Sequence, residues 1–437
     1  MLKTAIFIIR TLRKAGYDAY LAGGCVRDIL MNKKPDDFDI ATSAKPEEIE
    51  GLFKKTKPVG KKFGVILVVK NGHTFEVATF RSDFGYSDRR RPDAVFFTNA
   101  MEDALRRDFT VNGMFYDPIR KEVLDYVEGQ KDLKLKTIRF IGDPNKRIKE
   151  DNLRILRAIR LKNVLDFKYE KKTLNAVKKN IKLIKNVSLE RIRDELNKMF
   201  ESKNRVLALK DMDKIGILRY ILPEIEEMKG VRQPEIFHSE GDVYTHTIKC
   251  LENLPRKCDL NLVWAVLLHD VGKPKSFSED RDGKITFYGH IEESVKISEK
   301  ILRRLRFSKK DIEEILWLID KHMTLKDVDE MRIAKRRRLF LDSRFKKLLL
   351  LYKADGLGCE PKNLEIYNKT SRLYKKDKLF LKRARLKRLV SGDEIMREFN
   401  LKEGPKIGRL LKRLEDAQLE GKVKTKKEAI KFLRRIA

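Results

Sequence analysis

The sequence predicts an α+β protein in which a small head with a mixed sheet and helices precedes a long all-α body. Strand-like segments (DAYLAGG, FDIATS, FGVILVVKNG and HTFEVATF) all fall within the first 130 residues or so, whereas from Ile148 onward apolar residues recur at helical spacing. At about 150 residues per domain, a chain of 437 residues holds roughly two to four domains. We place them at 1–137 (head), 138–230 (helical neck and body), 231–360 (an all-α domain) and 361–437 (a basic helical C-terminal region).

Composition points to a polyanionic partner. The formal net charge is +33 and charged residues make up 38% of the chain, a balance that favours nucleic acid as the partner. A thermophilic chain also carries many charges, but that alternative does not explain the excess of one sign. The four cysteines form no CxxC pair, and no segment reaches the ~18 apolar residues of a membrane span. We therefore expect a cytoplasmic protein without a membrane partner, a signal peptide or disulfides.

The elements of the head follow from local patterns in chain order. Leu2 to Ala15 has the spacing of an amphipathic helix that ends near Gly16. DAYLAGG predicts a strand that enters a turn, and CVRDILM predicts a short helix. FDIATS predicts the next strand. FGVILVVKNG and HTFEVATF predict a hairpin, because Asn71-Gly72 between them is a strong turn signal.

The stretch LAGGCVRDILMNKKPDDFDIATS carries the first candidate site. Asp37 and Asp39 are two residues apart, so on a strand they share a face and present two hard oxygen ligands suited to Mg²⁺. Two such ions ~4 Å apart bind both the attacking and the leaving oxygen in phosphoryl transfer. Gly23 and Gly24 offer backbone N–H groups to phosphate, and Arg27 follows one turn later. The alternative is an ordinary turn before a solvated acidic loop.

GGCVRD followed by DFD resembles the DNA polymerase β-like nucleotidyltransferase superfamily. More narrowly, it is similar to class II tRNA nucleotidyltransferases (CCA-adding enzymes) and to bacterial poly(A) polymerases. The resemblance implies a polymerase β-like head with Asp37 and Asp39 as catalytic, Mg²⁺-binding residues and Glu76 of FEVATFR as a third metal carboxylate. It also implies that Gly23, Gly24 and Arg27 bind the nucleotide.

Further motifs of that family occur in order along the head. FRSDFGYSDRRRPDAVFF resembles the flexible loop that helps the active site to change nucleotide. LRRDFTVNGMFYD resembles the second motif, in which Arg107 would touch the incoming nucleotide and Asp108 would orient the turn. LDYVEGQKDL, with Asp125 and Gly129, resembles the hinge between head and neck.

The stretch EDNLRILRAIR resembles the neck motif that selects the base. At spacings of three residues, Asp151, Arg154, Arg157 and Arg160 would share one helix face. A carboxylate accepts hydrogen bonds and a guanidinium donates them in a fixed fork, so such a set can read the Watson–Crick edge of a nucleotide. By resemblance, Asp151 and Arg154 would contact C or A, with Arg157 and Arg160 in support. The alternative is a salt-bridge ladder on an exposed helix.

Five of the six histidines fall between His238 and His322. His246, His269-Asp270, His290, His322 and Asp355 follow the order H…HD…H…H…D, which resembles the HD phosphohydrolase domain, and LLHDVGKP is particularly close to it. The resemblance implies a second divalent-metal site in an all-helical fold, since His and Asp are suitable ligands. Two interpretations stay open: an active phosphohydrolase, or a helical fold retained to brace RNA.

The C-terminal region, 361–437, is strongly basic, with Lys and Arg outnumbering Asp and Glu by more than two to one. The segment MRIAKRRRLFLDSRFKKLLL just before it is also dense in Arg and Lys. LKEGPKIGRLL places two glycines before a predicted helix, a shape that can present N–H groups to phosphate. The segment SGDEIMREFNLKEGPKIGRLLKRLEDAQLEGKVKTKKEAI resembles the end of the same family. We expect contact with the RNA backbone that weakens with salt.

Together these features predict a tRNA nucleotidyltransferase that uses CTP, ATP and Mg²⁺ and has the tRNA 3′ end as its partner. The 3′-hydroxyl would attack the α-phosphate and release pyrophosphate. Alternatives within the class are an enzyme that adds only CC or only A, or a poly(A) polymerase; the full-length flexible loop favours CCA or A addition. The rival from another class is an HD-type phosphohydrolase acting on RNA ends or cyclic nucleotides. A silent RNA-binding protein is disfavoured by the complete carboxylate set.

Overall fold

The chain divides into two compact units, Met1–Pro223 and Glu224–Ala437. The computed structural model describes residues 1–87, 89, 92–236, 238–384 and 388–436. The main sheet lies in the first unit, and the second unit is almost entirely helical. The α+β class predicted from the sequence is therefore confirmed.

A seven-stranded mixed sheet forms the centre of the first unit. The strands of this unit are β1 (Ala19–Ala22), β2 (Asp39–Thr42), β3 (Thr56–Gly60), β4 (Val65–Lys70), β5 (His73–Thr79), β6 (Arg81–Phe84), β7 (Ala94–Phe97), β8 (Phe115–Asp117), β9 (Glu122–Leu124), β10 (Thr137–Ile138) and β11 (Lys168–Tyr169). The sheet order is β3-β4-β5-β2-β1-β8-β9, while β6 pairs with β7 and β10 with β11.

Short helices flank this sheet, and longer ones follow it. The helices of the first unit are α1 (Leu2–Lys14), α2 (Gly24–Leu30), α3 (Pro46–Leu52), α4 (Ala100–Leu105), α5 (Gly129–Lys134), α6 (Pro144–Glu150), α7 (Arg154–Leu165), α8 (Lys171–Asn180), α9 (Leu189–Phe200), α10 (Arg205–Ile215) and α11 (Leu218–Ile221). The apolar face of α1 packs on the sheet through Ile8, Ile9 and Leu12, all fully buried. The amphipathic helix predicted from Leu2 is confirmed.

The register of the central strands places the carboxylates of the first site. β1 runs antiparallel to β2 and pairs Ala22 with Asp39, and β2 runs parallel to β5 and pairs Ile40 with Val77. Asp39 consequently lies next to Glu76 on β5. The prediction that Asp37 and Asp39 lie on one face of a strand is only half right. β2 begins at Asp39, and Asp37 precedes the strand. The ladder stops there because its partner strand β1 ends at Ala22 and turns away.

The neck helix begins later than the sequence predicts. Asp151 is extended (φ −143°, ψ 106°) and separates α6 from α7, which starts at Arg154. Its carboxylate accepts a hydrogen bond from the Leu153 N–H at 3.1 Å, a local bond that competes with continuing the helix. Arg154, Arg157 and Arg160 lie on α7 as predicted, but Asp151 does not share their helix.

The second unit is a stack of helices with one small hairpin. Its elements are α12 (Pro223–Glu226), which contains the point of division, then α13 (Val243–Glu252), α14 (Leu260–Leu268), α15 (Lys273–Ser276), β12 (Ser278–Glu279), β13 (Ile285–Thr286), α16 (His290–Arg304), α17 (Lys309–Lys321), α18 (Ile333–Leu341), α19 (Phe345–Gly358), α20 (Glu365–Ala384), α21 (Gly392–Phe399), α22 (Pro405–Glu420) and α23 (Lys426–Arg434). The predicted pair of glycines before a helix is wrong in one respect, because Gly404 caps α22 but Gly408 lies inside it.

None of the helices in the described part of the chain is both long enough and apolar enough to cross a membrane.

Candidate active site and metal centre

A cleft of about 350 Å³ in the first unit gathers most of the predicted site residues. Four of the predicted site residues in this unit are not part of the cleft lining that the described residues form: Asp37, Glu76, Arg27 and Arg160. The cleft is lined by the following side chains and glycines: Gly23, Gly24, Asp39, Arg81, Asp83, Tyr86, Pro92, Arg106, Arg107, Asp108, Asn112, Asp151, Arg154 and Arg157.

Gly23 lies at the floor of this cleft, where β1 turns into α2. Its φ of 75° is in the left-handed region that a side chain disfavours. A Cβ at this position would lie 3.3 Å from Nη1 of Arg107 and 3.7 Å from Oδ2 of Asp39. The turn therefore needs glycine both for its backbone conformation and to let an arginine and a carboxylate approach the backbone together.

Asp39, which lines the cleft, lies within electrostatic reach of two further carboxylates, Glu76 and Asp37. Burial, together with the charges of Glu76 and Asp37, raises the pKa of Asp39 to about 7, although Arg107 acts in the opposite direction. Such crowding costs free energy that a cation relieves. All three donors are carboxylate oxygens, the ligand type that Mg²⁺ prefers. By donor type the set suits a hard divalent cation, although among the described residues its ligand atoms do not all lie within 4.8 Å of one another.

A buried carboxylate orders the arginines beside Asp39. Asp103 on α4 is 1% exposed, and its two oxygens accept from Arg106 Nη2 at 2.7 Å and from Arg107 Nη2 at 2.9 Å. Burial alone would raise the pKa of Asp103, but Arg107 and Arg106 together hold it below its usual value. Arg107 also lies 5.0 Å from the ring centre of Phe115. The guanidinium groups are thus fixed in place, as a binding site for phosphate requires.

Arg27 is oriented from a different side. It donates to Oδ1 of Asn112 at 2.8 Å and pairs with Asp28 at 2.8 Å. Since Asn112 lines the cleft, Arg27 contacts the lining without belonging to it.

The two residues predicted to read the base are each held by a partner that the sequence argument did not identify. Asp151 accepts from Nη1 of Arg191 at 3.1 Å and from Nη2 at 2.8 Å, a bidentate pair. Arg154 donates from Nη1 to Glu150 at 2.7 Å and to the carbonyl of Arg147 at 2.9 Å. Arg191 lies on α9 outside every recognised motif, so no local pattern could have found it.

The other two neck arginines have structural partners. Arg157 donates from Nε to Asp108 at 2.6 Å, and Asp108 also accepts from the Phe109 N–H at 2.8 Å. Arg160 donates to the buried Glu195 at 2.6 Å. Arg157 thus connects α7 to Asp108 of the head and also lines the cleft. Arg160 connects α7 to α9.

The predicted flexible loop is anchored to the cleft at its base. β6 and β7 form its stem, while Asp88, Arg90 and Arg91 lie outside the described residues. Asp83 of the stem accepts from Arg81 Nε at 2.9 Å and from the Tyr86 hydroxyl at 2.8 Å, and it lies 3.6 Å from Arg106. This network was not predicted from the sequence, although the Arg-x-Asp spacing on one strand face is a usable signal.

In the second unit, helix ends bring the six predicted ligands together. Asp270 lies between the histidines: its Oδ2 is 3.4 Å from Nε2 of His269, and its Oδ1 is 3.9 Å from Nε2 of both His290 and His322. His246 Nε2 is 3.0 Å from Oδ1 of Asp355. A cleft of about 500 Å³ opens onto Asp270 and includes Lys273 and Lys326 in its lining.

The tautomers of these histidines suit metal binding. Nδ1 of His269, His290 and His322 faces the carbonyl of Val266, Phe287 and Ile319, respectively, at 2.8, 2.9 and 2.6 Å. A carbonyl only accepts, so each Nδ1 carries a proton and each Nε2 is the nitrogen that remains to face a metal ion. Burial and the neighbouring His269 lower the pKa of His322 to about 4, so this imidazole is neutral at physiological pH.

Glu240 is a further residue of this cluster that the sequence argument missed. Its Oε1 lies 2.8 Å from Nδ1 of both His246 and His238. Those two histidines are the main cause that holds the pKa of Glu240 at about 2, against the opposing effect of its burial. A carboxylate on the remote nitrogen of a histidine is the usual way in which a metal ligand is oriented.

Part of the basic segment before the C-terminal region has an internal role. Asp377 is 2% exposed and pairs with Arg336 at 3.0 Å and with Arg337 at 2.9 Å, while Arg338 donates to Asp416 at 2.7 Å. These three arginines connect α18 to α20 and α22. Their charges therefore stabilise the packing of these helices, in addition to any contact that they make with a polyanion.

Comparisons with known proteins agree with this arrangement. Three family sequence profiles match the chain: Poly A polymerase head domain over residues 19–139, Probable RNA and SrmB- binding site of polymerase A over 166–229, and HD domain over 243–358. The chain is 34% identical to a CCA-adding enzyme of Bacillus pumilus over 77% of this chain and 79% of that protein. It is 32% identical to a CCA-adding enzyme of Bacillus velezensis over 98% and 96%, respectively.

Among solved structures, the chain is similar to the crystal structure of the Bacillus stearothermophilus CCA-adding enzyme in complex with CTP. The TM-score is 0.71 at 25% sequence identity, and the match covers 99% of this chain and 96% of that one.

Proposed function

Because this chain belongs to the family of CCA-adding enzymes, we propose that it adds C and A residues from CTP and ATP to the 3′ end of tRNA. The observation that carries this proposal is the cleft in which Gly23, Asp39 and Arg107 meet Asp151 and Arg154. The cleft combines a glycine turn and an arginine, which suit a triphosphate, with a hydrogen-bonding pair that suits a base.

Asp151 and Arg154 can recognise a base through the same kind of hydrogen bonds that a partner base makes in a base pair. Cytosine and adenine both present an exocyclic amino group, which donates, beside a ring nitrogen, which accepts. The carboxylate of Asp151 accepts and the guanidinium of Arg154 donates, so one protein edge complements both bases. Uracil and guanine present the reverse order and leave these groups unpaired, which is costly in a partly buried site.

The phosphates would bind at Gly23, Gly24 and Arg107, which line the cleft, and Arg27 would support them through its hydrogen bond to Asn112. Asp37, Asp39 and Glu76 would hold Mg²⁺. Bound there, the cation would lower the pKa of the attacking hydroxyl and bear charge developing on the α-phosphate. The arginines would bind the triphosphate in the cleft that Asp39 also lines, and pyrophosphate would leave from there.

Position-specific labelling of CTP tests the reaction type. With a tRNA transcript that ends before CCA, label in the α-phosphate is expected to enter the RNA, and label in the γ-phosphate to leave as pyrophosphate. Release of γ-label as inorganic phosphate, with no label in RNA, would instead show a hydrolase.

Arg191 is expected to act as a positioning residue for Asp151. Arg191→Gln removes a bidentate, charge-assisted pair, whose loss corresponds to about 1.5–3 kcal/mol, or roughly 10–100-fold in selectivity for CTP and ATP over UTP and GTP. The measurement is kcat/KM for each of the four nucleotides. Arg193→Gln on the same helix is the matched control, because Arg193 pairs with its neighbour Asp194 at 2.8 Å. Equal selectivity in both variants would show that Arg191 has a structural role alone.

The histidine cluster supports a second activity, a metal-dependent phosphohydrolase. His246, His269, Asp270, His290, His322 and Asp355 would hold the divalent metal, and a buried Nε2 of His269 without a hydrogen-bond partner among the described residues fits this. Lys273, 2.7 Å from Asp270, is placed to contact a phosphate oxygen in the same cleft.

Asp270→Asn is expected to separate the two activities. Hydrolysis of cyclic nucleotides or of phosphate-terminated RNA should fall by about a hundredfold or more, since Asp270 faces all the Nε2 atoms. Nucleotide addition should stay within about twofold, whereas Asp37→Ala should do the opposite. Asp280→Asn, an exposed turn residue of the same unit, is the control. If Asp270→Asn leaves hydrolysis intact, the phosphohydrolase belongs to another site or another protein.

A further inference from the structure

Among the described residues, the histidine cluster contains three groups of candidate metal ligands, and two of these groups share no residue. In one, the ligand atoms of Asp270, His290 and His322 lie within 4.8 Å of one another. In the other, the same holds for His246, Cys250, His269 and Asp355. The first set offers one oxygen donor and two nitrogens. The second offers two nitrogens, an oxygen and a sulfur.

Cys250 reaches this second set from the helix that carries His246. The two residues are four apart on α13, so they lie on one helix face. Sγ of Cys250 is 3.3 Å from Nε2 of His246, and the residue is fully buried. No bulk solvent competes with a metal ion for the sulfur at this position.

A glycine makes this arrangement possible. A Cβ on Gly358 would lie 2.5 Å from Sγ and 3.1 Å from the backbone nitrogen of Cys250. The close approach of α19 to α13 at Gly358 is what allows Asp355, one turn earlier, to reach within 3.0 Å of His246. Cys250 thus lies at the contact that closes the set.

An independent observation indicates that the set expects a ligand. Nε2 of His269 is buried and makes no hydrogen bond with the described residues. Its Nδ1 donates to a carbonyl at 2.8 Å, so Nε2 is the nitrogen that remains to bind an ion. A buried polar nitrogen without a partner is costly, and coordination of an ion would satisfy it.

We propose that Cys250 is a sulfur ligand beside His246, His269 and Asp355, so that these four residues form a mixed nitrogen, sulfur and oxygen site for a zinc-class transition metal next to Asp270, His290 and His322. This rests on the proposed metal centre and adds a ligand to it. Metal binding displaces the thiol proton to solvent, because the thiolate is the ligand. A thiolate favours Zn²⁺ or Co²⁺ over Mg²⁺, so the two units of this chain would use different metals.

Cobalt titration of the full-length protein tests the sulfur ligand directly, without an activity assay. Co²⁺ bound by a thiolate gives a sulfur-to-cobalt charge-transfer band in the near ultraviolet, which Co²⁺ bound by nitrogen and oxygen alone lacks. Wild-type protein is expected to show the band, Cys250→Ser to lose it, and the Cys258→Ser control to keep it.

Cys359→Ser is the discriminating variant, because the Cys359 thiol lies in another group, with His238, Glu240 and the shared His246, and is the competing sulfur ligand. Loss of the band in Cys359→Ser but not in Cys250→Ser would overturn the assignment. If wild-type protein binds cobalt but shows no charge-transfer band, the sulfur ligand is wrong, although the metal centre itself exists. If no cobalt or zinc binds at all, both the thiolate site and the proposed metal centre fail.

X-ray absorption on the zinc-loaded wild-type protein covers the case in which Cys250→Ser does not fold. One sulfur scatterer at about 2.3 Å from zinc is expected. A shell of nitrogen and oxygen alone would leave Cys250 as a packing residue beneath Gly358.

Discussion

Asp39→Asn is expected to lower the rate of nucleotide addition by about a thousandfold or more. Asp39 is the carboxylate that lines the cleft and lies beside both Gly23 and Arg107. Loss of a ligand to the catalytic cation removes several kcal/mol of transition-state stabilisation, and each 1.36 kcal/mol is tenfold in rate. Single-turnover incorporation of CTP into a tRNA transcript measures the effect. Asp36→Asn, an exposed neighbour, should leave the rate unchanged.

The same substitution is expected to stabilise the metal-free protein at alkaline pH. The pKa of Asp39 is raised from 3.8 to about 7 in the folded state, so the folded protein binds more protons than the unfolded chain between these values. Stability is therefore lost as pH rises through this window. The shift corresponds to up to roughly 4 kcal/mol at pH 8.

Thermal unfolding in the presence of a chelator measures this effect. Asp39→Asn should raise the unfolding midpoint at pH 8 and leave it almost unchanged near pH 4, where Asp39 is protonated in the folded state. A midpoint that falls equally at both pH values would show that Asp39 serves the fold and is not held there for function.

Asp151→Asn is expected to cause the largest loss of base discrimination. The amide keeps the volume and can still accept from Arg191, but it also donates, so it no longer rejects the edge of uracil or guanine. Charge-assisted hydrogen bonds of this kind contribute about 1.5–3 kcal/mol each, or roughly 10–100-fold in selectivity.

Competition between CTP and UTP, and between ATP and GTP, measures the loss. Asp166→Asn is the matched control, because Asp166 is exposed at the far end of α7. A uniform drop in rate for all four nucleotides, with no change in their ratios, would mean that Asp151 does not read the base.

Local patterns predicted the elements of this fold better than its connections. The Asn71-Gly72 hairpin, the helix from Leu2 and the strand that carries Asp39 all follow from periodicity and turn chemistry, and the structure has them. Periodicity failed at Asp151, because the side chain of a capping residue overrides a helical pattern that the letters EDNLRILRAIR otherwise satisfy.

Long-range partners were beyond the reach of the sequence. Arg191 pairs with Asp151, which lies 40 positions away in the sequence. Asp103 orients Arg106 and Arg107 because it is buried and cannot be solvated by water instead. Glu240 was missed for a similar reason, since its two histidine contacts depend on how a loop folds back onto α13. Ligand types and order along the chain are visible in a sequence, whereas the residues that orient them depend on packing.

The most direct test of the central proposal uses three tRNA transcripts that end before CCA, after the first C and after CC. Each is incubated with CTP, ATP or both in the presence of Mg²⁺, and the products are sequenced. The account predicts stepwise completion to CCA from all three ends and then a stop. Addition of A alone to the CC end, a long A tail, or no addition alongside metal-dependent phosphate release would contradict it.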